Sequence, residues 1–161
     1  MFQPYDDVLA DSLTRTHSAG KIFYVDSNTG SDSYSGTRFK SPKATIAGAM
    51  TDCTASQGDR IVVLPAHAET STAVITVKAG VRIVGLSCGN LRPVITVNGA
   101  LDLFNMSGAN SLIQGLDLTI ITTDAATALI NVAAAKCAIR DVKMIPSATS
   151  VNVVDCITIA S

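Results

Sequence analysis

The sequence predicts an all-β fold, specifically a short, single-stranded, right-handed parallel β-helix, and three observations predict it. Slid against itself, the chain shows a fixed period of 26 residues: LFNMSGANSLIQGLDL (Leu103 to Leu118) lies over LINVAAAKCAIRDVKM (Leu129 to Met144) without a gap. Phe104 meets Ile130, Met106 meets Val132, Ile113 meets Ile139, Leu116 meets Val142, Leu118 meets Met144, and Asn105 falls on Asn131. Within each unit, apolar residues alternate over short runs such as 104 and 106 or 116 and 118, the period of a strand with one buried face. A unit this short holds two or three strands and leaves no room for a crossover helix, which excludes an alternating β/α sheet.

The elements follow in order. Residues 1 to 20 form an N-terminal arm outside the repeat, carrying Phe2, Tyr5, Val8, Leu9 and Leu13 among polar residues. Such a segment is expected to order on a neighbour or partner. The coil itself is expected over residues 21 to 161. The run Asp26-Ser27-Asn28-Thr29-Gly30-Ser31-Asp32 alternates oxygen side chains as calcium loops do, but the later ligands and final Glu are missing. A turn held by local side-chain to backbone bonds is the favoured reading.

Ser41 and Pro42 can start a helix, and Ile46, Ala49, Met50 and Cys53 then share one face. A helix over residues 42 to 53 is therefore expected to cap the N-terminal mouth, where an open solenoid end would expose core. Gly58 and Asp59 turn the chain into a strand at 61 to 64. Val74 to Cys88 fits the repeat if one residue is inserted between Gly80 and Val81, bringing Ile75, Val77, Ile83 and Leu86 into the columns. Ile157 and Ile159 follow Ile130 and Val132 at a spacing of 27 and begin a further unit. Val74, Leu103 and Leu129 each precede an inward residue, so simple alternation turns them outward as an apolar seam between subunits. A covering loop or a local bend that turns this column inward is the alternative.

Composition narrows the chemistry. A net charge of −1 and a pI near 6.0 offer no basic field for nucleic acid, and no apolar run reaches membrane-helix length. Charged residues make up only 16% and mean hydropathy is +0.35, thin polar cover that points to surface buried in an assembly. Cys53, Cys88, Cys137 and Cys156 are scattered, and only His17 and His67 could assist them, so no metal site is expected. Free thiols are favoured over two disulfides.

A glycosidase needs two converging carboxylates, and Asp102, Asp117, Asp124, Asp141 and Asp155 do not stack on one another in the repeat frame. Asp117 falls one rung from Lys143, and Asp141 lies over Gly115. His67 has no nucleophile beside it and reads as a turn or surface histidine. No catalytic residue and no cofactor are expected.

Finally, KIFYVDSNTGSDSYSGT, SPKATIAGAM, GDRIVVLPAHAET and AGVRIVGLSCGNLRPVITV resemble, over about residues 20 to 145, the opening of pectate-lyase-like parallel β-helix proteins, especially small ones of tailed-bacteriophage virions. That resemblance implies a coil and a phage setting. The superfamily includes lyases, hydrolases, tailspikes and non-catalytic virion proteins, so activity must be argued from a site. A pectate-type lyase would place a calcium-binding acidic cluster opposite a base; Arg140 could serve as the base, but no Asp pair adjoins it. The expectation is a non-enzymatic decoration or cement protein on the capsid exterior. It would bind the major capsid protein through the arm and, by analogy with similar proteins, assemble as a homotrimer. The alternative is a tail fibre or tailspike fragment that binds or cleaves bacterial surface polysaccharide.

Overall fold

A computed structural model describes residues 20–86, 90–121, 128–145 and 155–160. In chain order the elements are β1 (Ile22–Val25), α1 (Ile46–Asp52), β2 (Arg60–Val63), β3 (Ala68–Ser71), β4 (Ile75–Thr76), β5 (Arg82–Gly85) and β6 (Val94–Val97). Then come β7 (Phe104–Met106), β8 (Leu112–Gln114), β9 (Asp117–Ile120), β10 (Ala128–Val132), β11 (Ala138–Arg140), β12 (Lys143–Ile145) and β13 (Asp155–Ile159). They stack into three parallel sheets: a first of β1-β2-β5-β8-β11, a second of β3-β6-β9-β12 and a third of β4-β7-β10-β13. From β2 onward the chain visits first, second and third sheet in strict rotation, which is a parallel β-helix.

The register is the one the repeat predicts. Ile113 pairs with Ile139, Leu118 with Met144, Phe104 with Ile130 and Asn105 with Asn131. Ile83 joins Ile113, and Ile75 joins Phe104, across the predicted insertion. Ile157 and Ile159 stack on Ile130 and Val132. One inward column of the first sheet runs Phe23, Ile61, Ile83, Ile113, Ile139. All but Ile139, which is partly covered, are buried. Each buried side chain of this size contributes about 1.5–3 kcal/mol.

Leu86 departs from its predicted inward place and is exposed. Its N–H follows the rung below, donating to the Val63 carbonyl, while the chain leaves on the long excursion to β6. The one-residue insertion thus accounts for Ile83 but not for the corner beyond it. The apolar seam is also corrected. Val74 is exposed, but Leu103 and Leu129 are 0% and 2% exposed and lie within the core. Leu103 sits at the corner leading into β7, donating its N–H to the Ala128 carbonyl, and Leu129 is the second residue of β10. That bend turns two consecutive residues inward, so strict alternation fails there. Phe2, Tyr5, Val8, Leu9 and Leu13 lie outside the described residues.

The cap helix starts later than Ser41-Pro42 implies. Residues 41 to 43 are held extended: Lys43 bridges Val25 in parallel, its N–H bonding the Tyr24 carbonyl and its carbonyl accepting from Asp26. Thr45 is the N-cap instead, accepting from the Gly48 N–H at 2.9 Å. Asp32 reinforces it by accepting from the N–H groups of Ala44 and Thr45 and from the Thr45 hydroxyl. Ile46, Ala49, Met50 and Cys53 are buried, the face predicted from their spacing.

His67 is likewise corrected from surface to core, at 0% exposure. Its Nδ1 accepts from the Ser27 N–H at 2.9 Å, which places the proton on Nε2, 2.9 Å from Glu69 Oε2. The same Glu69 oxygen accepts the Ile46 N–H at the helix start. Glu69 occupies the inward register position over Ile95, so a carboxylate stands where an aliphatic would otherwise be, satisfied by the cap and the histidine.

Two outcomes test this packing. Ile113→Ala, with neighbours fixed above and below, is expected to cost about 2–5 kcal/mol in denaturant unfolding; a loss under about 1 kcal/mol would place Ile113 outside the stacked core. Cys53 is 4% exposed, and burial, aided by Asp59, pushes its thiol up to about 12, whereas Cys156 is exposed. Alkylation of the native chain at mildly alkaline pH, mapped by mass spectrometry, should therefore mark Cys156 promptly and Cys53 only after unfolding. Equal native rates would contradict the cap.

Candidate functional site

The outer face of the first sheet carries two columns. One runs Ile22, Arg60, Arg82, Leu112, Ala138, and the other Tyr24, Val62, Val84, Gln114, Arg140. The corner leading into β5, β8 and β11 carries a third row, Gly80, Asn110 and Lys136, all in the left-handed region at φ 70°, 60° and 59°. Gly80 N–H bonds the Ala109 carbonyl and Asn110 N–H bonds the Ala135 carbonyl, so these corners stack rung on rung. Glycine and asparagine tolerate this conformation, but lysine does so at a cost of about 1–2 kcal/mol. Strain of this kind concentrates at functional positions.

Arg82, Lys136 and Arg140 line a shallow concavity of about 270 Å³ with Asn110, Ser111, Leu112 and Ala138. All three cations are exposed, and among the described residues no carboxylate lines the groove. Its floor is low, because Ser111 is buried and tied to Cys137 at 3.3 Å, and Ala138 is small. Three unopposed positive charges around a small polar floor suit an anionic, oxygen-rich ligand, with each arginine able to grip a carboxylate or sulfate in two parallel bonds.

The charged groups around the excursion between β5 and β6 are already engaged. Arg92 donates from Nε to Asp117 at 2.6 Å, from Nη1 to Asp141 Oδ2 at 2.9 Å and from Nη2 to the Asp141 carbonyl at 2.6 Å. The bonds to Asp141 and then Asp117 push the guanidinium further up from its ordinary value, so Arg92 stays charged and serves as a staple rather than a base. Asp117 does lie beside Lys143 across β9 and β12, as the repeat frame predicts. The residue that joins Asp117 to Asp141, however, comes from the excursion itself, where the repeat gives no guidance. Asp26 accepts from Thr29 and Asn28; burial alone would raise its pKa, but these bonds outweigh it and lower it. With Asp32 committed to the helix cap, the Asp26 to Asp32 run is a bonded turn. Asp124 lies outside the described residues.

No protein-family model matches the chain, and no curated protein matches its sequence. Among solved structures it is similar to a rhamnogalacturonan lyase, with 20% identity and a TM-score of 0.58 over 79% of this chain. The match spans 38% of that structure's chain. This likeness shows the fold, a parallel β-solenoid. It also corrects the expectation that the chain is not an enzyme: a coil of this form belongs to an enzyme in the matched structure, so the unstacked aspartates do not exclude catalysis.

Of the candidate residues that the sequence singles out, Arg140 alone belongs to the groove. Arg82 and Lys136 carry no such mark, because the repeat is written in apolar columns and the cations fall between them. A lysine aligned with Asn110 and Gly80 at a turn is the signal that could have revealed them.

Replacing Lys136 with Gly should relieve the left-handed corner and raise stability by about 0.5–1 kcal/mol, since glycine removes the Cβ clash but loses more entropy on folding. Thermal melts of the two proteins check this. A destabilised Lys136→Gly variant would mean that the lysine packs structurally instead of standing strained at the groove rim.

Proposed function

We propose that the chain binds an acidic polysaccharide along the outer face of the first sheet, with Arg82, Lys136 and Arg140 neutralising its anionic groups. The observation that carries this reading is the convergence of these three exposed cations on one concavity with no carboxylate among its described lining residues. A flat, regularly spaced face suits an extended polymer, because its strands repeat at about 4.8 Å and present side chains in rows. The likeness to a polysaccharide lyase supports the same class of ligand. Asn110 and Gln114 supply neutral donors and acceptors for sugar hydroxyls beside the charges.

Glycan binding of this kind is the alternative to capsid decoration, and a phage tail component is one setting for it. Decoration rests on the arm residues, and the corrected positions of Leu103 and Leu129 remove the seam through which a trimer was expected. Cleavage belongs within the proposal. In an eliminative reaction a base removes the proton beside the uronate carboxylate, a carbon–carbon double bond forms as the bond to the glycosidic oxygen breaks, and that oxygen takes a proton from solvent to leave as a hydroxyl; a paired cation would stabilise the charge that develops on the carboxylate.

Calorimetric titration with polygalacturonate and with a neutral dextran tests the reading. Binding to the acidic polymer alone is expected, falling as salt is raised because exposed charge pairs are screened within about 8–10 Å. Arg82→Glu with Arg140→Glu should abolish it while leaving the melting temperature near that of the parent. Equal binding of dextran, or affinity retained by the double variant, would show that the groove is not the binding surface. Ultraviolet absorbance of unsaturated products reports whether bound polymer is also cut.

A further inference from the structure

The outer face of the first sheet extends past the basic groove to the N-terminal mouth, where it ends in a pair of aromatic rings. Tyr24 heads the outward column that runs through Val62, Val84 and Gln114 to Arg140. Its N–H donates to the Gly36 carbonyl at 2.7 Å and its carbonyl accepts from the Lys43 N–H at 2.8 Å, so residues 36 to 43 are drawn against β1. The Ser41 N–H bonds the Arg38 carbonyl at 3.0 Å and closes a turn with Phe39 and Lys40 at its tip. Phe39 meets Tyr24 edge to face, with ring centroids 6.0 Å apart and planes at 76°.

A single exposed aromatic is ordinary on a protein surface. Phe39 differs because it keeps 66% of its surface open while the Tyr24 ring holds it in place. Arg38 and Lys40, both exposed, flank it in sequence. It also stands against the head of the column that ends in Arg140, and among the described residues neither outward column of this sheet holds a carboxylate. Four rungs separate Tyr24 from Arg140. That is about 19 Å at the spacing of stacked strands. Arg82 lies midway, on the same strand as Val84.

We propose that Phe39, propped by Tyr24, is a stacking platform for a sugar ring of the acidic polysaccharide, and that the polymer runs across the strands, along the coil axis, from the mouth to the groove. This rests on the reading of the groove as the anion-binding surface and adds to it an aromatic subsite and a direction. The hydrogens on one face of a sugar ring carry slight positive charge and settle on the negative face of an aromatic ring, while the apolar area between them leaves water. Arg38 and Lys40 then meet carboxylates of the stacked sugar or its neighbour. Val62 and Val84, both half-buried, form an apolar path between the two ends. The strands of this sheet are three or four residues long, so a polymer laid along them would soon pass off the face.

Calorimetric titration of the full chain with size-graded oligogalacturonates tests the platform. Affinity should rise with length until the oligomer covers roughly 19 Å, whereas an oligomer short enough to fit within the groove reaches the groove alone. Phe39→Ala should lose between about two- and tenfold in affinity for the long oligomer, the range of one aromatic contact, and nothing for the short one. Its melting temperature should stay at the parent value. Arg82→Glu with Arg140→Glu should weaken both ligands, which separates the groove from the platform. The chain contains no tryptophan, so Phe39→Trp places a single reporter at the tip of the turn. This variant should retain the parent affinity, and its emission should shift with the long oligomer and not with the short one. Long-oligomer affinity untouched by Phe39→Ala, or Phe39→Trp emission that the long oligomer leaves in place, would overturn the platform, while binding of the short oligomer would leave the groove standing. An equal emission shift with the short oligomer would detach the platform from the groove and overturn the axial path. Failure of the parent to bind either oligomer would refute both.

Discussion

The structure depends on in-register parallel stacking of like side chains. Parallel strands about 4.8 Å apart bring equivalent residues into contact along the coil axis, so each inward position must pack on its counterpart above and below. The column Phe23, Ile61, Ile83, Ile113, Ile139 meets that demand on the first sheet, and Ile75, Phe104, Ile130 meet it on the third, where Ile157 on the edge strand is left exposed. The same rule acts outward, so a functional side chain on this scaffold is placed by its column. Arg82 and Arg140 face the same way because Ile83 and Ile139 face the opposite way.

A stack must end, and the N-terminal mouth ends on polar chemistry. Glu69 stands in an inward column yet is reconciled with the core by the Ile46 N–H and by His67, whose other nitrogen holds Ser27. Asp59, buried at 1% exposure, accepts from the N–H groups of Lys21 and Thr54 and joins the start of β1 to the chain leaving the helix. The cap is thus an apolar helix face seated on a ring of satisfied polar groups. A buried group of this kind is strongly destabilising if it loses its partner, which makes the mouth specific as well as closed.

Legibility followed the periodicity. Where one rung copies the last without insertion, as from Leu103 to Met144, the sequence revealed the register residue by residue, including Asn105 under Asn131. Corners were less legible, since Leu103 and Leu129 turn inward through a bend that alternation cannot anticipate, and Leu86 leaves its column where the chain departs for β6. The helix start was displaced because the pairing of Lys43 with Val25 overrides the local signal of Ser41 and Pro42. The burial of His67 is hidden in the sequence for a similar reason: its partners Ser27 and Glu69 meet it only after the coil has closed. The basic groove was nearly illegible, as its three cations come from β5, β11 and the turn before β11 and share no local motif.

Chemical-shift mapping of the isotopically labelled chain with a short acidic oligosaccharide tests most directly whether that face is the binding surface. Perturbed backbone amides are expected to cluster at residues 80–84, 110–114 and 136–140, three segments distant in sequence and adjacent only in the stacked coil. Perturbation centred on the second or third sheet, or none at saturating ligand, would contradict it.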